Sequence, residues 1–433
     1  MKSAGALMKI GVEISRIIVG AVFVFSGFVK MVDPLGFTYK SQDYLIEWGL
    51  QLFFPLALPV ALALSMAEFL LGVFILLGIY RRWATLLVFV LMLFMTPFTL
   101  WIAIENPVKD CGCFGDALII SNWETFYKNI VLVVLSALLC FKWKELSPLF
   151  PDGFQWAPAV FSVAFALLFS LNGVFRMQVF DFRPYKIGAS ISEQMRVDPA
   201  NADVYRNTFI YEKDGKKQEF TEDNYPWNDS TWTFVDMKTE LLKEGEKPKI
   251  EDFQIIRLSR DSVSGQYVED EDIMQDILSD SGYTFLMTSY SLGEADKSVA
   301  KSLNRVADFA QEQGIAFYCL TSSVFDDISK WAGETAAEYT FCNADERVLK
   351  TINRSNPGLM LLKNGIVIDK WDRFSIPGDK KLGKRLSRQG ESPKPNNTSR
   401  LLLIMAIFIL PLGVLNRLGR KRTKNNNLDI KNI

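Results

Sequence analysis

The chain has 433 residues, too many for one ordinary domain, and its charge is nearly balanced, with 48 Lys and Arg against 49 Asp and Glu. A formal net charge of -1 gives no indication of a polyanionic partner, so we expect no nucleic acid to bind. Histidine is absent, which excludes Ser-His and Cys-His catalytic pairs, histidine-ligated haem, and most zinc and copper sites. Acid–base or redox chemistry therefore falls to Cys, Asp, Glu, Lys, Tyr or a bound cofactor.

Apolar segments of membrane-spanning length dominate the first 175 residues, and one more lies near residue 410. Each is close to the ~20 residues that cross a hydrocarbon layer of ~30 Å. The last segment is short and contains Pro411, but Arg400 and Arg417 could reach the interfaces from its ends. The predicted spans are 12–31, 53–79, 83–104, 126–141, 157–175 and 401–415. They predict a multi-pass α-helical bundle in membrane lipid, with a four-helix domain at 1–150, a fifth helix at 151–176 and a sixth at 400–416.

Positive charges in the short loops predict the orientation, because such residues are retained on the cytoplasmic side. The basic residues that share one side, if all six spans are present, are Arg81, Arg82, Lys142, Lys144 and those of the tail at 417–433. The region 177–399 then faces outward, which predicts a bacterial inner-membrane protein with a large periplasmic domain. A basic linker expected at 380–399 lies on that outer side against the charge rule, but long domains cross largely regardless of charge.

Ionisable residues also occur inside the apolar segments. Glu68 lies within the second span. Intramembrane charges cost ~2.5–3.5 kcal/mol each on insertion scales, so they normally pair or line a path. We expect Arg16 to pair with Glu68, and this pair either serves the function or only fixes helix packing. The first span carries one stripe of ionisable and small residues at helical spacing, namely Glu13, Arg16, Gly20, Gly27 and Lys30.

The segment 110–116, Asp-Cys-Gly-Cys-Phe-Gly-Asp, lies between the third and fourth spans and so at a predicted edge of the membrane. A disulfide between Cys111 and Cys113 needs Cα atoms about 4.4–6.8 Å apart, and Gly112 permits the folded backbone that this requires. The small ring should be strained and easily reduced. We interpret the pair as a redox dithiol, with binding of a soft metal ion such as Cu(I) or an inert turn as the alternatives.

Charged residues near the pair should set its reactivity. Lys30, at the outer end of the first span, would lower a thiol pKa, whereas Asp110 and Asp116 would raise it. No histidine or nearby third cysteine completes a zinc site, so no resident metal is predicted. The predicted supporting residues are Lys30, Asp110, Asp116, Arg16 and Glu68.

Several short motifs of the membrane block resemble those of one family. The resemblance covers roughly residues 8–145. Gly27-Phe28-Val29-Lys30 with Asp33-Pro34, Glu68, and Gly78 with Arg81-Arg82 resemble the DoxX family, and the Cys-Gly-Cys-Phe-Gly stretch resembles its MauE-like branch. This implies extracytoplasmic disulfide formation or protein maturation. Similarity to the four-helix vitamin K epoxide reductase type implies a lipid-soluble quinone as a candidate electron acceptor.

From residue 283 onward the pattern alternates between strands and helices, which predicts an extracytoplasmic α/β sheet with crossover helices. Pro357 opens one predicted strand, and Asn364-Gly365 is typical of a hairpin turn. The predicted strands are 283–289, 315–321, 339–342, 358–362 and 366–371, and the predicted helices are 297–313, 326–332 and 346–353.

The stretch Ser355-Asn356-Pro357-Gly358-Leu359, continuing to Asn364-Gly365, resembles a thioredoxin-like domain of the TlpA type, in which Pro357 takes the cis-proline position. The resemblance places this domain at 250–379, after an extension at 177–249. Between Ser289 and Lys297, where the family carries Cys-x-x-Cys, this chain has no cysteine. Because that motif depends on a thiolate stabilised by a helix N-terminus, we predict a domain that binds a client protein without exchanging thiols.

Three further cysteines and an aromatic cluster remain. Cys140 is expected to be an apolar filler of the fourth span. Cys319 and Cys342 lie in apolar strand sequence and either form a disulfide or stay as buried thiols, which we favour. The cluster of Tyr225, Trp227 and Trp232 is either a core, as we expect, or a docking surface.

These features together favour a membrane protein in thiol–disulfide or electron-transfer chemistry, or in protein maturation. The alternative is a non-enzymatic assembly or binding factor whose cysteines are structural or bind a metal. A small-molecule transporter that uses the charged stripe is less favoured, because one stripe and one buried glutamate form a thin pathway.

Overall fold

The computed structural model describes residues 2–108, 110–243, 245, 247–251, 253–261, 265–387 and 397–431. Six helices among them are long and apolar enough to cross a membrane. The prediction of six spans is therefore confirmed, including the short sixth one. The spans are Ala6–Val32, Gln51–Leu77, Arg81–Glu105, Asn122–Phe141, Asp152–Phe175 and Asn397–Lys424.

The membrane block is built on close antiparallel packing of its first and second spans. A Cβ atom at Gly27 would lie 2.3 Å from the backbone nitrogen of Phe69, and one at Gly72 would lie 2.6 Å from that of Val24. These glycines therefore let the two backbones approach more closely than any side chain would allow. The helices of the block are α1 (Lys2–Val32), α2 (Pro34–Glu47), α3 (Phe54–Leu77), α4 (Arg81–Glu105) and α5 (Asn122–Phe141).

Helix α2 is not among the elements predicted from the sequence. Asp33 caps it by accepting a hydrogen bond from the Gly36 N–H (3.0 Å), and Pro34 occupies its first turn. Its buried side includes Thr38 and Tyr44, and the Tyr44 hydroxyl lies 3.5 Å from the carbonyl oxygen of Cys111. The helix thus lies directly beside the segment 110–116.

The fifth span ends with α6 (Trp156–Phe175), and the chain then continues into two extramembrane units. The helix α7 (Ile191–Gln194) precedes the first unit, an antiparallel sheet in the order β2-β1-β3. Within residues 204–243, all of them described, no residue is buried, so this sheet has no core of its own. The strands are β1 (Val204–Lys213), β2 (Lys216–Thr221) and β3 (Thr233–Lys243).

The aromatic cluster predicted to be a core is not buried on this sheet, although two of its rings contact neighbouring rings. The Tyr225 ring stacks on Phe209 at 4.6 Å, and the Trp232 ring lies 5.1 Å from Phe220. Trp227 is 74 % exposed, so the prediction of a core is wrong for this residue. Three strands offer too little surface to cover all the aromatic side chains.

The second unit is a seven-stranded mixed sheet in the order β10-β9-β6-β7-β8-β4-β5. β6, β7 and β8 are parallel, and β9 pairs antiparallel with β6. Hydrophobic clusters pack on both faces of the sheet, in a thioredoxin-like α/β arrangement. The strands are β4 (Ile256–Arg260), β5 (Tyr267–Asp272), β6 (Tyr283–Ser289), β7 (Ala316–Thr321), β8 (Thr340–Asn343), β9 (Gly358–Lys363) and β10 (Ile366–Trp371).

The predicted alternation of strands and helices between 283 and 371 is confirmed element by element. Buried strands and amphipathic helices differ clearly in their hydrophobic period, so the sequence identifies both. The helices of this unit are α8 (Met274–Ser279), α9 (Ala300–Glu312), α10 (Phe325–Thr335), α11 (Glu346–Ile352) and α12 (Asp379–Leu386).

The linker predicted at 380–399 is wrong in its first part, which belongs to α12. This helix forms because Leu382 is fully buried in the same cluster as α9, and because Arg385 pairs with Asp369 at 3.1 Å. Residues 388–396 of the predicted linker lie outside the described residues. The sixth span belongs to α13 (Asn397–Lys431), which continues through much of the predicted basic tail.

Candidate functional site

The segment 110–116 forms a tight turn at the end of the block that also carries the extramembrane units. Gly112 and Gly115 both have positive φ, at 69° and 50°, which glycine adopts without strain. The Gly112 N–H donates to Asp110 Oδ1 (2.9 Å), and the Gly115 N–H donates to the Gly112 carbonyl (3.1 Å). The turn brings the thiols of Cys111 and Cys113 within hydrogen-bond contact of each other, and both are free.

The two thiols differ in their surroundings. The hydrogen bond from Cys113 is the largest of the causes that lower the pKa of Cys111 to about 6, and Thr125 and Lys128 add to it. The Cys111 sulfur lies 3.6 Å from the Thr125 hydroxyl. The pKa of Cys113 is raised well above its ordinary value by the hydrogen bond to Cys111 and by burial. These surroundings favour Cys111 as the thiol that ionises first.

A buried ion pair lies beside Cys113, inside the block. Lys30 Nζ is 2.8 Å from both carboxylate oxygens of Glu68, and both side chains are almost fully buried. Ser26 Oγ lies 2.7 Å from Glu68 Oε2 and 2.8 Å from the Cys113 carbonyl oxygen. A cavity of about 40 Å³ is lined by Cys113, Lys30, Glu68 and Ser26. The Lys30–Glu68 pair and Cys113 therefore line one small cavity.

The predicted Arg16–Glu68 pair is wrong. Arg16 pairs with Glu13 (3.0 Å) and donates to the carbonyls of Ile75 and Leu76, at the far end of α3. In an antiparallel pair of helices, an early residue of α1 meets a late residue of α3. Glu68 lies about two turns earlier in α3 than Ile75 and so meets Lys30, near the end of α1. Arg16 lies away from the thiols.

The two aspartates of the segment are held by different cations. Lys40, on α2, pairs with Asp110 at 2.9 Å. Arg354 lies 3.8 Å from Asp116, whose pKa is raised by burial despite this contact. Arg354 also donates three hydrogen bonds of 2.8 to 3.1 Å to the Asp33 carboxylate. Arg354 belongs to the thioredoxin-like domain, and no sequence pattern pointed to it.

Pro357 follows Arg354 by three residues, and the Asn356–Pro357 peptide bond is cis. Asn356 connects the loop that contains Pro357 to the loop after β6. Its Oδ1 accepts a hydrogen bond from Ser289 Oγ (2.7 Å), and its Nδ2 donates one to the Ser291 carbonyl (2.7 Å). The loop after β6 contains no cysteine. The domain therefore brings a proline loop, but no thiol, toward the membrane block.

The remaining cysteines lie away from this site. Cys319 on β7 is in register with Phe341, while Cys342 on β8 is in register with Leu320, so the two thiols point to opposite faces of the sheet. Both are free and buried, and burial raises the pKa of each. The prediction of buried thiols is confirmed. Cys140 lies on α5 and is free and half-buried.

Comparison with known proteins agrees with this architecture. The family described as Methylamine utilisation protein MauE matches residues 8–142, and a domain of unknown function, DUF8463, matches residues 205–244. No curated protein matches the chain. The solution structure of a candidate protein disulfide isomerase from Bacteroides thetaiotaomicron is similar, with 9% identity and a TM-score of 0.24, over 34% of this chain and 91% of that one. The MauE family model thus matches the membrane block and does not extend into the extramembrane sheets.

Proposed function

We propose that the protein is a membrane thiol–disulfide oxidoreductase in which Cys111 and Cys113 are the reactive dithiol. The observation that carries the proposal is the geometry of the turn, which folds at Gly112 and holds two free cysteines one residue apart. Thiol–disulfide exchange requires two adjacent thiols, one to attack and one to resolve the intermediate. The lowered pKa of Cys111 agrees with the attacking role.

The chemistry balances as two successive exchanges. The Cys111 thiolate attacks a disulfide of a client protein, forms a mixed disulfide and releases one client sulfur as a thiolate. The Cys113 thiol loses its proton and attacks the Cys111 sulfur, which forms the Cys111–Cys113 disulfide and releases the second client thiolate. Run in reverse, the same steps oxidise two client thiols.

In the oxidising direction the dithiol must pass on two electrons and two protons. A lipid-soluble quinone, which becomes a quinol, is the acceptor class that we propose. An apolar groove of about 650 Å³ between the bundle and α13 supports this, because it could hold a long hydrocarbon chain. Phe25 lines the groove, and its ring centroid is 5.3 Å from that of Phe114, next to Cys113.

The proposal extends to location and partner. The positive charges of the short loops favour a bacterial inner membrane, with the dithiol and the large domains on the periplasmic side, where disulfides persist. The client would be an exported protein. The thioredoxin-like domain would serve the exchange without taking part in it, because its loop after β6 has no cysteine.

Cysteine variants test the assignment directly. Cys113→Ser keeps the attacking thiolate but removes the thiol that resolves the mixed disulfide, so we expect it to accumulate a covalent partner on Cys111. Cys111→Ser should trap far less, and Cys140→Ser, in the fourth span, should behave as the parent. Non-reducing electrophoresis and mass mapping of cell membranes give the readout.

The opposite results are equally clear. If neither Cys111→Ser nor Cys113→Ser traps a partner, the exchange mechanism fails. If the purified parent instead carries bound Cu(I) that both variants lose, the pair is a soft-metal site.

A further inference from the structure

Two loops of the thioredoxin-like domain, the one after β6 and the one that contains Pro357, face the membrane block in this protein. Lys350, on α11, lies over the ring of Tyr39 on α2 at 4.7 Å and over the ring of Tyr290 at 5.3 Å. Tyr290 begins the loop after β6, and Arg354 begins the loop that contains Pro357. The Tyr290 side chain hydrogen-bonds that of Tyr39, and Arg354 lies over the Tyr39 ring at 5.4 Å, so both loops contact α2 of the same chain.

Arg354 makes the strongest contact of this interface. Its guanidinium binds the Asp33 carboxylate through Nε at 3.1 and 3.0 Å and through Nη2 at 2.8 Å. Side-chain exposures of 10 % for Arg354 and 18 % for Asp33 show that the pair is largely removed from water. Fork-shaped contacts of this kind fix orientation as well as charge, which a lysine cannot do.

Two routes connect Arg354 to the cysteines. On one route, Asp33 caps α2, and α2 carries Lys40, which holds Asp110 at 2.9 Å. The second oxygen of Asp110 accepts the N–H of Gly112, the residue between the cysteines. On the other route, Arg354 lies 3.8 Å from Asp116, at the other end of the segment. Both ends of the turn thus depend on one arginine of the extramembrane domain.

The same domain and its leading segment also cover the turn. Phe180 and Arg183, which precede the domain in sequence, line a cavity of about 60 Å³ together with Arg354, Gly112 and Gly115. Cys111 is only 9 % exposed. A protein partner therefore has no free approach to the turn from this side.

We propose that Arg354 is a positioning residue for the Cys111–Cys113 dithiol, and that the thioredoxin-like domain is a cap built into the chain. The domain lacks a dithiol of its own and instead holds the segment 110–116 in its tight turn. A client reaches the cysteines when the contact between Arg354 and Asp33 opens. This inference rests on the proposed function only in naming the dithiol as the reactive group.

Alkylation of single cysteines in the purified full-length chain, held in lipid nanodiscs, tests this. The rate at Cys111 is followed by mass mapping from pH 5 to 9.5, so that the high-pH plateau reports access and the midpoint reports the thiol pKa. The parent midpoint should lie near pH 6, where the Cys111 pKa lies. Arg354→Gln should raise the plateau at least about tenfold, by favouring local opening. It should also move the midpoint up by at least about one pH unit toward the ordinary ~8.5, because the hydrogen bond between the thiols is lost.

Two further variants make the result specific. Arg347→Gln removes an equal charge from an exposed position on α11, the helix that ends just before Arg354, and should leave both quantities unchanged. Arg354→Lys keeps the charge without the fork and should give a smaller change in the same direction. Cys319 and Cys342, buried in the thioredoxin-like core, report folding and should stay unreactive in every variant.

The inference is overturned if Arg354→Gln and Arg354→Lys both behave as the parent does. This means a plateau within twofold of the parent's and a midpoint within 0.3 pH units (about 0.4 kcal/mol) of it. It is also overturned if Cys111 becomes reactive only in step with Cys319 and Cys342, since general unfolding then explains the exposure. None of these readouts needs the dithiol to turn over. A failure to trap clients with Cys113→Ser and a failure of the cap are therefore separate outcomes.

Discussion

Cys111 and Cys113 are separated by one residue, yet different elements determine their chemistry. Thr125, from α5, acts on Cys111, and Lys30, from α1, acts on Cys113, whereas Lys128, from α5, acts on both. The sequence was enough to single out the pair and Lys30, because intramembrane charges and paired cysteines are rare. It could not assign the two roles, since they depend on residues that meet only after the helices pack.

The buried pair of Lys30 and Glu68 leads to a prediction at this scale. Glu68→Gln leaves the Lys30 ammonium in an apolar surrounding without a counter-charge, which typically costs roughly 3–5 kcal/mol. The Glu13 side chain, which pairs with Arg16, is 34% exposed. Glu13→Gln should therefore lower the free energy of unfolding by only roughly 0–1 kcal/mol. Chemical unfolding of both variants in detergent micelles measures the difference.

A double variant separates stability from function. Lys30→Met with Glu68→Leu removes both charges and should recover most of the stability lost in Glu68→Gln, because no unpaired charge remains. If this double variant exchanges thiols as fast as the parent, the pair only fixes the packing of α1 on α3. A slow but stable double variant would show that the charges serve Cys113.

At the scale of elements, the sequence predicted well those features that have a strong hydrophobic period. The six spans and the strands and helices of 283–371 all fall near their predicted bounds. Helix α2 was missed because it is short and mixed in polarity, although Asp33 followed by Pro34 is a start signal for a helix. Arg16 does not pair with Glu68 because α1 and α3 are antiparallel, which places Arg16 beside the end of α3.

The three-stranded sheet carries the second prediction. In the register of β1 with β3, Phe209 is opposite Met237 and Tyr205 is opposite Leu241, so these four side chains share one face. Met237 and Leu241 are 47% and 48% exposed. A sheet without buried residues that exposes such a face is typical of a docking surface for a protein partner.

We therefore expect this sheet to hold the client. Met237→Gln or Leu241→Gln, added to Cys113→Ser, should reduce the yield of trapped partner several-fold by weakening apolar contact. Lys238→Gln, on the opposite face of β3, is the matched control and should have no effect. Equal trapping in all three variants, measured by non-reducing electrophoresis, would rule out the sheet as the client surface.

At the scale of the whole molecule, the site depends on a contact between residues 321 positions apart, Asp33 and Arg354. Such a contact leaves no local pattern, so packing of the extramembrane domain on the segment 110–116 could not be predicted from the sequence. The absence of Cys-x-x-Cys is explained if the domain acts on a dithiol elsewhere in the chain. The absence of a dithiol in the domain and its docking on the segment 110–116 are then parts of one arrangement.

The docking should depend on pH in a defined direction. Burial raises the pKa of Asp33, but Arg354 and Arg183 outweigh it and hold the pKa below its ordinary value. A carboxyl group with a lowered pKa in the folded state stabilises the docked form above its unfolded pKa of ~3.9. That contribution is lost as the pH falls through the lower, folded value. The interface should therefore stay closed from pH 8 to about pH 4 and open below it.

Asp33→Asn isolates the charge, because asparagine caps a helix as well as aspartate does. We expect α2 to remain helical in this variant. Its amides next to the interface should exchange hydrogen at pH 7 as fast as the same amides of the parent do in acid, once both rates are corrected for the intrinsic rate of exchange. Asp43→Asn removes the same charge from the same helix without touching the carboxylate that Arg354 binds, and should exchange as the parent does. Protection in Asp33→Asn that equals the parent's at pH 7 would mean that apolar contacts alone hold the domain on the membrane block, with Arg354 contributing nothing to its closure.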